Sequence, residues 1–239
     1  DGPGPAPGGN VTQAPEVTVA ATAVRTVAAS DSSAAARASA DYLCDGVNDQ
    51  QEIQAALDAL PTTGGEVILS EGTFWCTGSI VLPPETALTG QGAGKTAIEL
   101  NNSIIHLKHD STSLQEFNIS GYQYDWERQW DAPVFITTSN VSIRDVTGTA
   151  DNTVHAVFFV ANLDTTKEGK VIENIEFSGC RAQDPGTFGF MLSASQAATN
   201  KLIRNVTFID CEAINCGKDA PFNPWVTGFN FAEQNDIED

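Results

Sequence analysis

Basic residues and sulfur are scarce in this chain of 239 residues. Lysine and arginine number 12 against 31 aspartates and glutamates, which gives a formal net charge of −19 at pH 7. A surface of that sign repels phosphate backbones and anionic headgroups, so we expect no nucleic-acid partner. No apolar run approaches the roughly 18 residues that a membrane helix requires, and no membrane span is predicted. Hydrophobic residues still make up 41% of the chain, which is enough to form a core.

Cysteine is too infrequent for a disulfide-built scaffold. The five cysteines lack the close paired spacing of a zinc site, and their odd number leaves at least one thiol free or available for an intermolecular bond. The chain starts at Asp1 without methionine or an apolar signal segment, and we interpret it as a processed exported protein or a fragment of one. The expected location is therefore extracellular, at the cell surface.

Composition divides the chain into three regions. Residues 1–15 are rich in glycine and proline and are predicted to form a flexible leader, because such a segment buries too little apolar area to offset its entropy. In region 16–43, a β-branched stretch over 16–29 predicts an extended strand, and the Ala/Ser-rich segment that follows it predicts a connector. The main domain is assigned to 44–239.

One amphipathic helix is predicted over 49–60, at the start of the main domain. The apolar residues that share one of its faces are Ile53, Ala56, Leu57 and Leu60. Asp45, Asn48 and Asp49 lie at its start and are assigned to the N-cap region, where their oxygens can accept free backbone N–H groups. Calcium is the metal that this acidic loop would suit, but no calcium-loop pattern is present.

Short β-rich segments repeat through the rest of the chain. An alignment of five segments, at intervals of 24 to 34 residues, places one apolar residue of each in the same phase: Leu88, Ile119, Ile143, Phe177 and Phe208. Another apolar strand precedes each of them, as in HAVFFVA and FGFMLSA. A constant strand pattern with loops of variable length predicts a solenoid, in which every coil buries its apolar side against its neighbours.

Two side-chain ladders are predicted from the same alignment. Asn140, Asn174 and Asn205 each lie three residues before an aligned position, where asparagine can adopt the left-handed conformation and hydrogen-bond to the next coil. Cys180 and Cys211 each lie three residues after one. Stacking would bring their Cα atoms to about the 4.7–4.9 Å strand spacing, which suits either a disulfide or a reduced cysteine ladder.

The segment CDGVNDQQEIQAALDALPTTGGEVILSEGTF (44–74), followed by SIVLPPETALTGQGAG (79–94), resembles the capping helix and first coils of the pectate-lyase-like superfamily. The similarity is greatest to surface and secreted β-helix proteins of archaea, especially methanogens, and covers roughly 44–239. It implies an all-β solenoid, a right-handed parallel β-helix of about seven coils with an N-terminal capping α-helix. The fold hosts lyases, hydrolases, esterases, viral fibres and surface proteins, so it does not define an activity.

No catalytic set is predicted. Glycan hydrolases need two carboxylates about 5–9.5 Å apart, and the signatures of the family's hydrolases do not occur at matching positions. The lyases use an acidic calcium cluster with an arginine or lysine base, for which the candidates at outward positions are His106, Lys108, Asp110, Asp164 and Arg181. They form no constellation, and His106, Lys108 and His109 are interpreted as a solvated face.

The segment GQGAGKT (90–96) is similar to a phosphate-binding loop but departs from it. Three residues separate Gly90 from Gly94 where the motif has four, and a strand pattern follows where the motif needs a helix. We predict a glycine-rich turn between coils and no bound nucleotide.

An aromatic insert, YQYDWERQWD (122–131), is predicted to be a binding edge. Its aromatic residues, together with one from PFNPW, are Tyr122, Tyr124, Trp126, Trp130 and Trp225. Aromatic faces stack on sugar rings or on partner surfaces. The alternative is that these rings pack on the solenoid itself or on a neighbouring subunit.

Five Asn-x-Ser/Thr sequons fit a glycosylated exported protein. Asn140 and Asn205 belong to the predicted ladder and cannot carry glycan if they point into the solenoid. The predicted glycosylation sites are therefore Asn10, Asn101 and Asn118.

The predicted function is a non-catalytic extracellular or cell-envelope structural protein that self-associates into a homo-oligomer or polymer. The last strand pattern begins a new coil near the end of the chain, so we expect that end either to continue or to be covered by a partner, and strand 16–29 is one such cover. One alternative is a polysaccharide-active enzyme, more a lyase than a hydrolase, that uses the outer face of the first strand of each coil. Another is a glycan-binding or viral-fibre module centred on 122–131.

Overall fold

A computed structural model of the chain describes residues 23–121, 132–150, 155–162, 170–194, 202–217 and 226–231, and the backbone of 237–238. The first elements in chain order are β1 (Val24–Ala28), α1 (Ala34–Ser39), β2 (Tyr42–Leu43) and α2 (Gln50–Asp58). All the later elements within the described residues are strands.

The next nine strands are short. They are β3 (Gly65–Leu69), β4 (Gly72–Cys76), β5 (Ile80–Val81), β6 (Thr86–Thr89), β7 (Thr96–Leu100), β8 (Ile105–Leu107), β9 (Thr112–Gln115), β10 (Asn118–Ser120) and β11 (Val134–Ile136). The remaining strands are β12 (Val141–Arg144), β13 (Thr147–Thr149), β14 (Ala156–Asn162), β15 (Val171–Ser178), β16 (Arg181–Gln183), β17 (Phe188–Ala194), β18 (Leu202–Ile209), β19 (Glu212–Ile214), β20 (Thr227–Phe231) and β21 (Ile237–Glu238).

These strands form three parallel sheets. Sheet A has the order β2-β1-β3-β6-β9-β12-β15-β18-β21, sheet B the order β19-β16-β13-β10-β7-β4, and sheet C the order β20-β17-β14-β11-β8-β5. From β3 onward the chain passes through sheets A, B and C in turn and then returns to sheet A; one such passage is called a coil below. This all-β architecture with two helices is consistent with a parallel β-helix.

The inward positions of sheet A show how the apolar pattern sets the register. Leu88 of β6 pairs with Leu114 of β9, which pairs with Ile143 of β12, and the row continues to Phe177 and Phe208. Each side chain of this row packs on the equivalent side chain of the next coil. The register is well specified, because a slip of one residue would turn the whole row outward.

The sequence alignment was wrong at one position of this row. Ile119 lies in β10, in sheet B, where it pairs with Ile98 and Gly148. Its place in sheet A belongs to Leu114. The segment FNISG alternates apolar and polar residues in the same way as the strands of sheet A. Such alternation predicts a strand with one buried face, but it does not predict which sheet the strand joins.

The solenoid interior contains stacked phenylalanines. Phe158, Phe190 and Phe229 come from consecutive strands of sheet C, with ring centroids 4.9 and 4.8 Å apart and planes within 10°. Phe177 stacks on Phe208 at 5.1 Å and meets Phe190 edge-on. Aromatic pairs add about 0.5–1.5 kcal/mol each beyond the burial of their area.

The N-terminal region differs in part from the prediction. β1 lies within the predicted strand 16–29 and pairs with β2 and β3 of its own chain. Residues 16–22 of that prediction lie outside the described residues. The predicted connector contains helix α1, whose Ser33 hydroxyl accepts the N–H of Ala36 at 3.2 Å. Alanine favours helix, and a serine in front of it supplies the cap.

Helix α2 is shorter than the predicted 49–60 and buries the expected face. Ile53, Ala56 and Leu57 are buried, and the helix contacts β1 to β5. Neither of the two helices among the described residues is long and apolar enough to cross a membrane.

Asp49 lies at the start of α2, as predicted, but its side chain does not bond to the N–H groups that an N-cap residue would satisfy. One carboxylate oxygen accepts the N–H of Gly46 at 2.9 Å and the other accepts the N–H of Trp75 at 2.8 Å. Asp49 is completely buried, and these two hydrogen bonds satisfy both of its carboxylate oxygens.

The segment 90–95 is a turn between β6 and β7. Gly90 and Gly92 donate their N–H groups to the carbonyl oxygens of Gln115 and Glu116 on the next coil. Thr96 donates its hydroxyl to Ser70 O at 2.9 Å. Gly90 allows close approach between coils, because a Cβ there would lie 2.4 Å from Glu116 O, whereas Gly92 is needed for its φ of 105°. The backbone N–H groups of Gly90 and Gly92 are engaged within the protein.

Candidate functional site

The outer face of sheet C is the surface on which the enzymatic alternative depends. The outward positions in register along this sheet, one from each strand, are Val81, His106, Phe135, Phe159, Met191 and Asn230. Several outward side chains form a buried apolar cluster that is separate from the core: Ala132, Ala156, Phe159, Ala161, Phe188 and Met191. This face is apolar and aromatic, and none of these positions carries a carboxylate.

His106 belongs to this apolar face and not to a solvated one, which corrects the prediction. Its ring lies 5.3 Å from that of Phe135, and its Nε2 is 3.0 Å from Thr137 Oγ1. Burial, aided by the charges of Lys108, His109 and Lys170, lowers the pKa of His106 to about 4. The imidazole is therefore neutral at pH 7. Lys108 and His109 are exposed, as expected.

His155 has a similar environment on the same side. Its ring meets that of Phe188 edge-on at 5.0 Å, and burial lowers its pKa to about 4. Both imidazoles are therefore neutral at pH 7 and lie against phenylalanine rings of sheet C.

The structure does not bring the other candidate catalytic residues together. Asp110 accepts hydrogen bonds from the Thr138 hydroxyl and, at 3.3 Å, from the Ser139 N–H. Arg181 lies in sheet B, on a different face, and pairs with Glu212 at 2.6 Å. Asp164 lies outside the described residues.

The three asparagines form the hydrogen-bonded row that their spacing indicates. Asn174 Nδ2 donates to Asn140 Oδ1 at 2.9 Å, and Asn205 Nδ2 donates to Asn174 Oδ1 at 2.6 Å. All three have left-handed backbone, with φ of 57°, 60° and 52°. Asn140 immediately precedes β12, whereas Asn174 and Asn205 lie within β15 and β18, so the row fixes one left-handed residue at the same register in three consecutive coils.

All five cysteines are free thiols, so the structure contains Cys180 and Cys211 as a reduced stack. The Cys180 thiol lies 3.3 Å from Ile143 O and can alternatively donate to the sulfur of Cys211. Donation to that sulfur lowers the pKa of Cys211 to about 7 and raises the pKa of Cys180. Cys211 is half-buried and is the more reactive thiol of the two.

One close group of potential metal ligands occurs among the described residues. Side-chain atoms of Cys44, Asp49 and Glu52 lie within 4.8 Å of one another. A thiol is a poor calcium ligand, burial raises the pKa of Cys44, and both oxygens of Asp49 already accept backbone N–H groups. The donor set does not fit calcium, and we assign it to the anchoring of α2.

The last described strands of sheets B and C lie beside an exposed apolar surface. β19 and β20 are the last strands of sheets B and C within the described residues. Ile209, Phe229 and Phe231 are 43%, 38% and 53% exposed there. This surface, called the ladder end below, exposes the rings that terminate the phenylalanine stacks.

Several predicted binding residues fall where the structure says nothing. Asn10, Tyr122, Tyr124, Trp126, Trp130 and Trp225 lie outside the described residues. Asn101 is exposed after β7, and Asn118 is half-buried in β10.

Sequence reasoning missed Trp75, which is 52% exposed on sheet B. The segment GTFWC carried the signal, because Phe74 and Cys76 are its inward residues and the tryptophan between them must point outward.

No protein-family model matches the chain, and no curated protein matches it in sequence.

Proposed function

We propose that the chain is a right-handed parallel β-helix of about seven coils, of the pectate-lyase-like kind, and a non-catalytic structural component of an extracellular or cell-envelope assembly. The ladder end is the surface by which one copy joins another. A right-handed path is the strong preference of crossovers between parallel strands.

The assignment of α2 as an N-terminal cap is supported by the way its side chains take the place of a strand. The Gln54 amide accepts the N–H of Val81 at 2.9 Å and donates to the carbonyl of Val81 at 3.0 Å. Gln50 accepts the N–H of Thr77 at 3.1 Å. The backbone of Asp49 donates to Trp75 O at 2.8 Å. This satisfies edge groups of β4 and β5 and closes that end of the solenoid to further stacking.

The observation on which this proposal depends is the contrast between the two ends of the solenoid. Solenoids need a polar cap wherever they stop, and α2 is the cap that we propose for the N-terminal end. Within the described residues, the ladder end instead exposes Ile209, Phe229 and Phe231 beside β19 and β20, the last strands of sheets B and C there. A second copy that meets this end with its own ladder end buries both sets of rings in a symmetric interface.

The composition of sheet C's outer face favours the structural function over the enzymatic alternative. A glycan-cleaving site on that face would need charged groups in neighbouring coils, but the outward row holds Phe135, Phe159 and Met191. Phe159 and Met191 are buried in an apolar cluster, and Phe135 packs against that cluster. The binding edge at 122–131 stays a prediction.

The test is sedimentation velocity and negative-stain electron microscopy of the full chain, with and without calcium. Phe231→Asp should weaken self-association at least tenfold, because it places a charge in the apolar contact. Val47→Asp is the matched control, since Val47 is 66% exposed at the capped end, and it should change nothing. A wild-type chain that stays monomeric at every concentration, or equal association of both variants, would overturn the proposal.

A further inference from the structure

A groove beside the capped end of sheet B has an exposed indole on one wall. Its volume is about 340 Å³, and Trp75, which is 52% exposed, is among its lining residues. Its polar walls come from Asn48, Thr77, Glu99 and Asn101. An exposed indole beside carboxylate and amide groups is the usual lining of a pyranose site, because the ring C–H groups stack on the indole and the hydroxyls bind the polar groups.

The indole is held on a rigid support. Asp49 accepts the N–H of Trp75 at 2.8 Å and donates its own N–H to Trp75 O at 2.8 Å. Asn48 accepts a hydrogen bond from the Thr77 hydroxyl, which ties the loop before α2 to the end of β4. The groove is therefore built before any ligand arrives.

Asn101 places a sugar attachment point in the same groove. Asn101, Asn102 and Ser103 form a sequon, and Asn101 is exposed. Trp75 pairs with Glu99 in register, and Asn101 lies two residues further on, just after β7, where its backbone N–H donates to Cys76 O at 2.8 Å. Trp75 and Asn101 both line the groove. The strand spacing and the rise per residue put the Cα atoms of Asn101 and Trp75 about 8 Å apart, within reach of one pyranose ring.

The other described sequons lack this arrangement. The Asn205 amide nitrogen donates to Asn174, and the Asn140 amide oxygen accepts from Asn174. Both side chains therefore belong to the hydrogen-bonded asparagine row described above. Asn118 is half-buried within β10. Asn101 is the exposed one of the four.

We propose that Asn101 carries an N-linked glycan whose first pyranose lies in this groove, with its C–H face on the Trp75 indole and its hydroxyls at the Glu99 carboxylate. The inference rests on the proposed function only in that it requires export. Gly121 leaves the space, because a Cβ at that position would lie 2.4 Å from Glu99 Oε2.

The transfer needs a lipid-pyrophosphate-linked oligosaccharide as donor. A bond forms between Asn101 Nδ2 and the anomeric carbon, the bond from that carbon to the pyrophosphate oxygen breaks, and one amide proton leaves with the lipid pyrophosphate. Ser103 is buried and donates its hydroxyl to Cys76 O at 3.1 Å. A transferase that reads this hydroxyl must therefore act before the turn has folded.

The first experiment is glycopeptide mass spectrometry of the full chain, secreted through a pathway that transfers such oligosaccharides. Asn101 should be modified in most molecules, and Asn101→Gln should remove that glycan while Asn118→Gln leaves it in place. An unmodified Asn101 overturns the inference, whether or not another sequon is occupied.

The second experiment tests the contact with Trp75. Loss of the glycan in Asn101→Gln should lower the melting temperature by about 2–4 °C, the shift that a contact of ordinary strength produces in a domain of this size. The shift should disappear in a Trp75→Ala background and persist in part with Trp75→Phe, which keeps an aromatic face. Trp75 is half exposed, so these variants should fold. An equal shift in all three backgrounds would show that the glycan does not use the groove.

Sedimentation of the same samples separates this inference from the proposed function. A glycosylated monomer would overturn the proposed assembly and leave the Asn101 site standing. An unglycosylated oligomer would do the reverse.

Discussion

The rings of Phe190 and Phe229 lie parallel, with centroids 4.8 Å apart and an interplanar angle of 6°. Phe190 is completely buried and stacks on Phe158 on its other face, whereas Phe229 is 38% exposed. The same stack is thus saturated in the interior and open at the ladder end. Identical rings in successive coils set the register inside the solenoid and leave Phe229 partly exposed in the last described strand of sheet C.

Phe190→Ala should be among the most destabilising single changes in the chain. It removes a completely buried ring that contacts four other phenylalanines, and such truncations cost about 3–5 kcal/mol. The measurement is urea denaturation at low protein concentration. Phe231→Ala is the control, since its ring is 53% exposed, and it should cost about 1 kcal/mol or less. Similar losses in both variants would show that the stack is not a cooperative core.

Asn174 contributes to the free energy of unfolding through its backbone conformation and through its side-chain hydrogen bonds, and two variants separate these contributions. Asn174→Gly keeps the left-handed backbone accessible but removes two side-chain hydrogen bonds, which should lower the free energy of unfolding by about 1–3 kcal/mol. Asn174→Ala loses the same bonds and adds a Cβ at φ 60°, at a further cost of about 1–2 kcal/mol. Chemical denaturation of both variants measures the difference. An alanine variant as stable as the glycine variant would contradict the role of the left-handed turn.

Much of this fold could be read from the sequence because each coil repeats a short physical pattern. The strands, the helix that packs at their N-terminal end and the Asn140, Asn174 and Asn205 row all follow from local alternation and spacing. The sheet to which FNISG belongs does not, since Ile119 in sheet B and Leu114 in sheet A satisfy the same alternation. The groove is also a product of the third dimension, because Trp75 and Asn101 meet only when β4 pairs with β7.

The partners of buried polar groups were the least predictable part. Asp49 sits where a helix N-cap is expected, yet burial directs its carboxylate to Gly46 and Trp75. His106 lies between the inward residues Ile105 and Leu107 and close to Lys108 and His109, but the ring that it meets on the outer face is Phe135 of the neighbouring strand. Neither choice is encoded within a few residues of the side chain, because both depend on what the neighbouring coil presents.

The two half-buried histidines predict a pH dependence of stability. The folded-state pKa values of His106 and His155 are both about 4, whereas an unfolded imidazole takes up its proton near pH 6.5, as about 6.5 is its unperturbed pKa. Between these values the unfolded chain binds more protons than the folded chain, so the free energy of unfolding should fall as the pH decreases from 6.5 toward 4. Lys108, His109 and Lys170 face His106 and disfavour its protonation further.

Carboxylates also titrate in part of this range, so the measurement is a comparison with variants. The denaturation midpoint of the double variant His106→Gln, His155→Gln should depend less steeply on pH between 6.5 and 4 than that of the wild type. At pH 7.5, where both imidazoles are neutral in either state, the two slopes should agree. Identical slopes in the acidic window would show that the imidazoles are not held neutral by burial.

Thiol labelling distinguishes the reduced cysteine stack from a disulfide. Cys211 is half-buried with a pKa of about 7, whereas burial raises the pKa of Cys44 and of Cys76, the latter to about 12. Iodoacetamide at pH 8 should therefore modify Cys211 at least tenfold faster than Cys44 or Cys76, because the thiolate is the nucleophile. Peptide mass spectrometry gives the individual rates.

The matched variant for that labelling is Cys180→Ala, which removes the hydrogen bond that lowers the Cys211 pKa. The bond contributes only while Cys180 carries its proton, so its loss should return the Cys211 pKa toward its ordinary value and slow the labelling at pH 8. Faster labelling in the variant would mean that the Cys180 thiol shields Cys211 more than it activates it. A wild-type Cys211 that reacts only after reduction would show that the stack is a disulfide, in which case Cys180→Ala would accelerate the reaction instead.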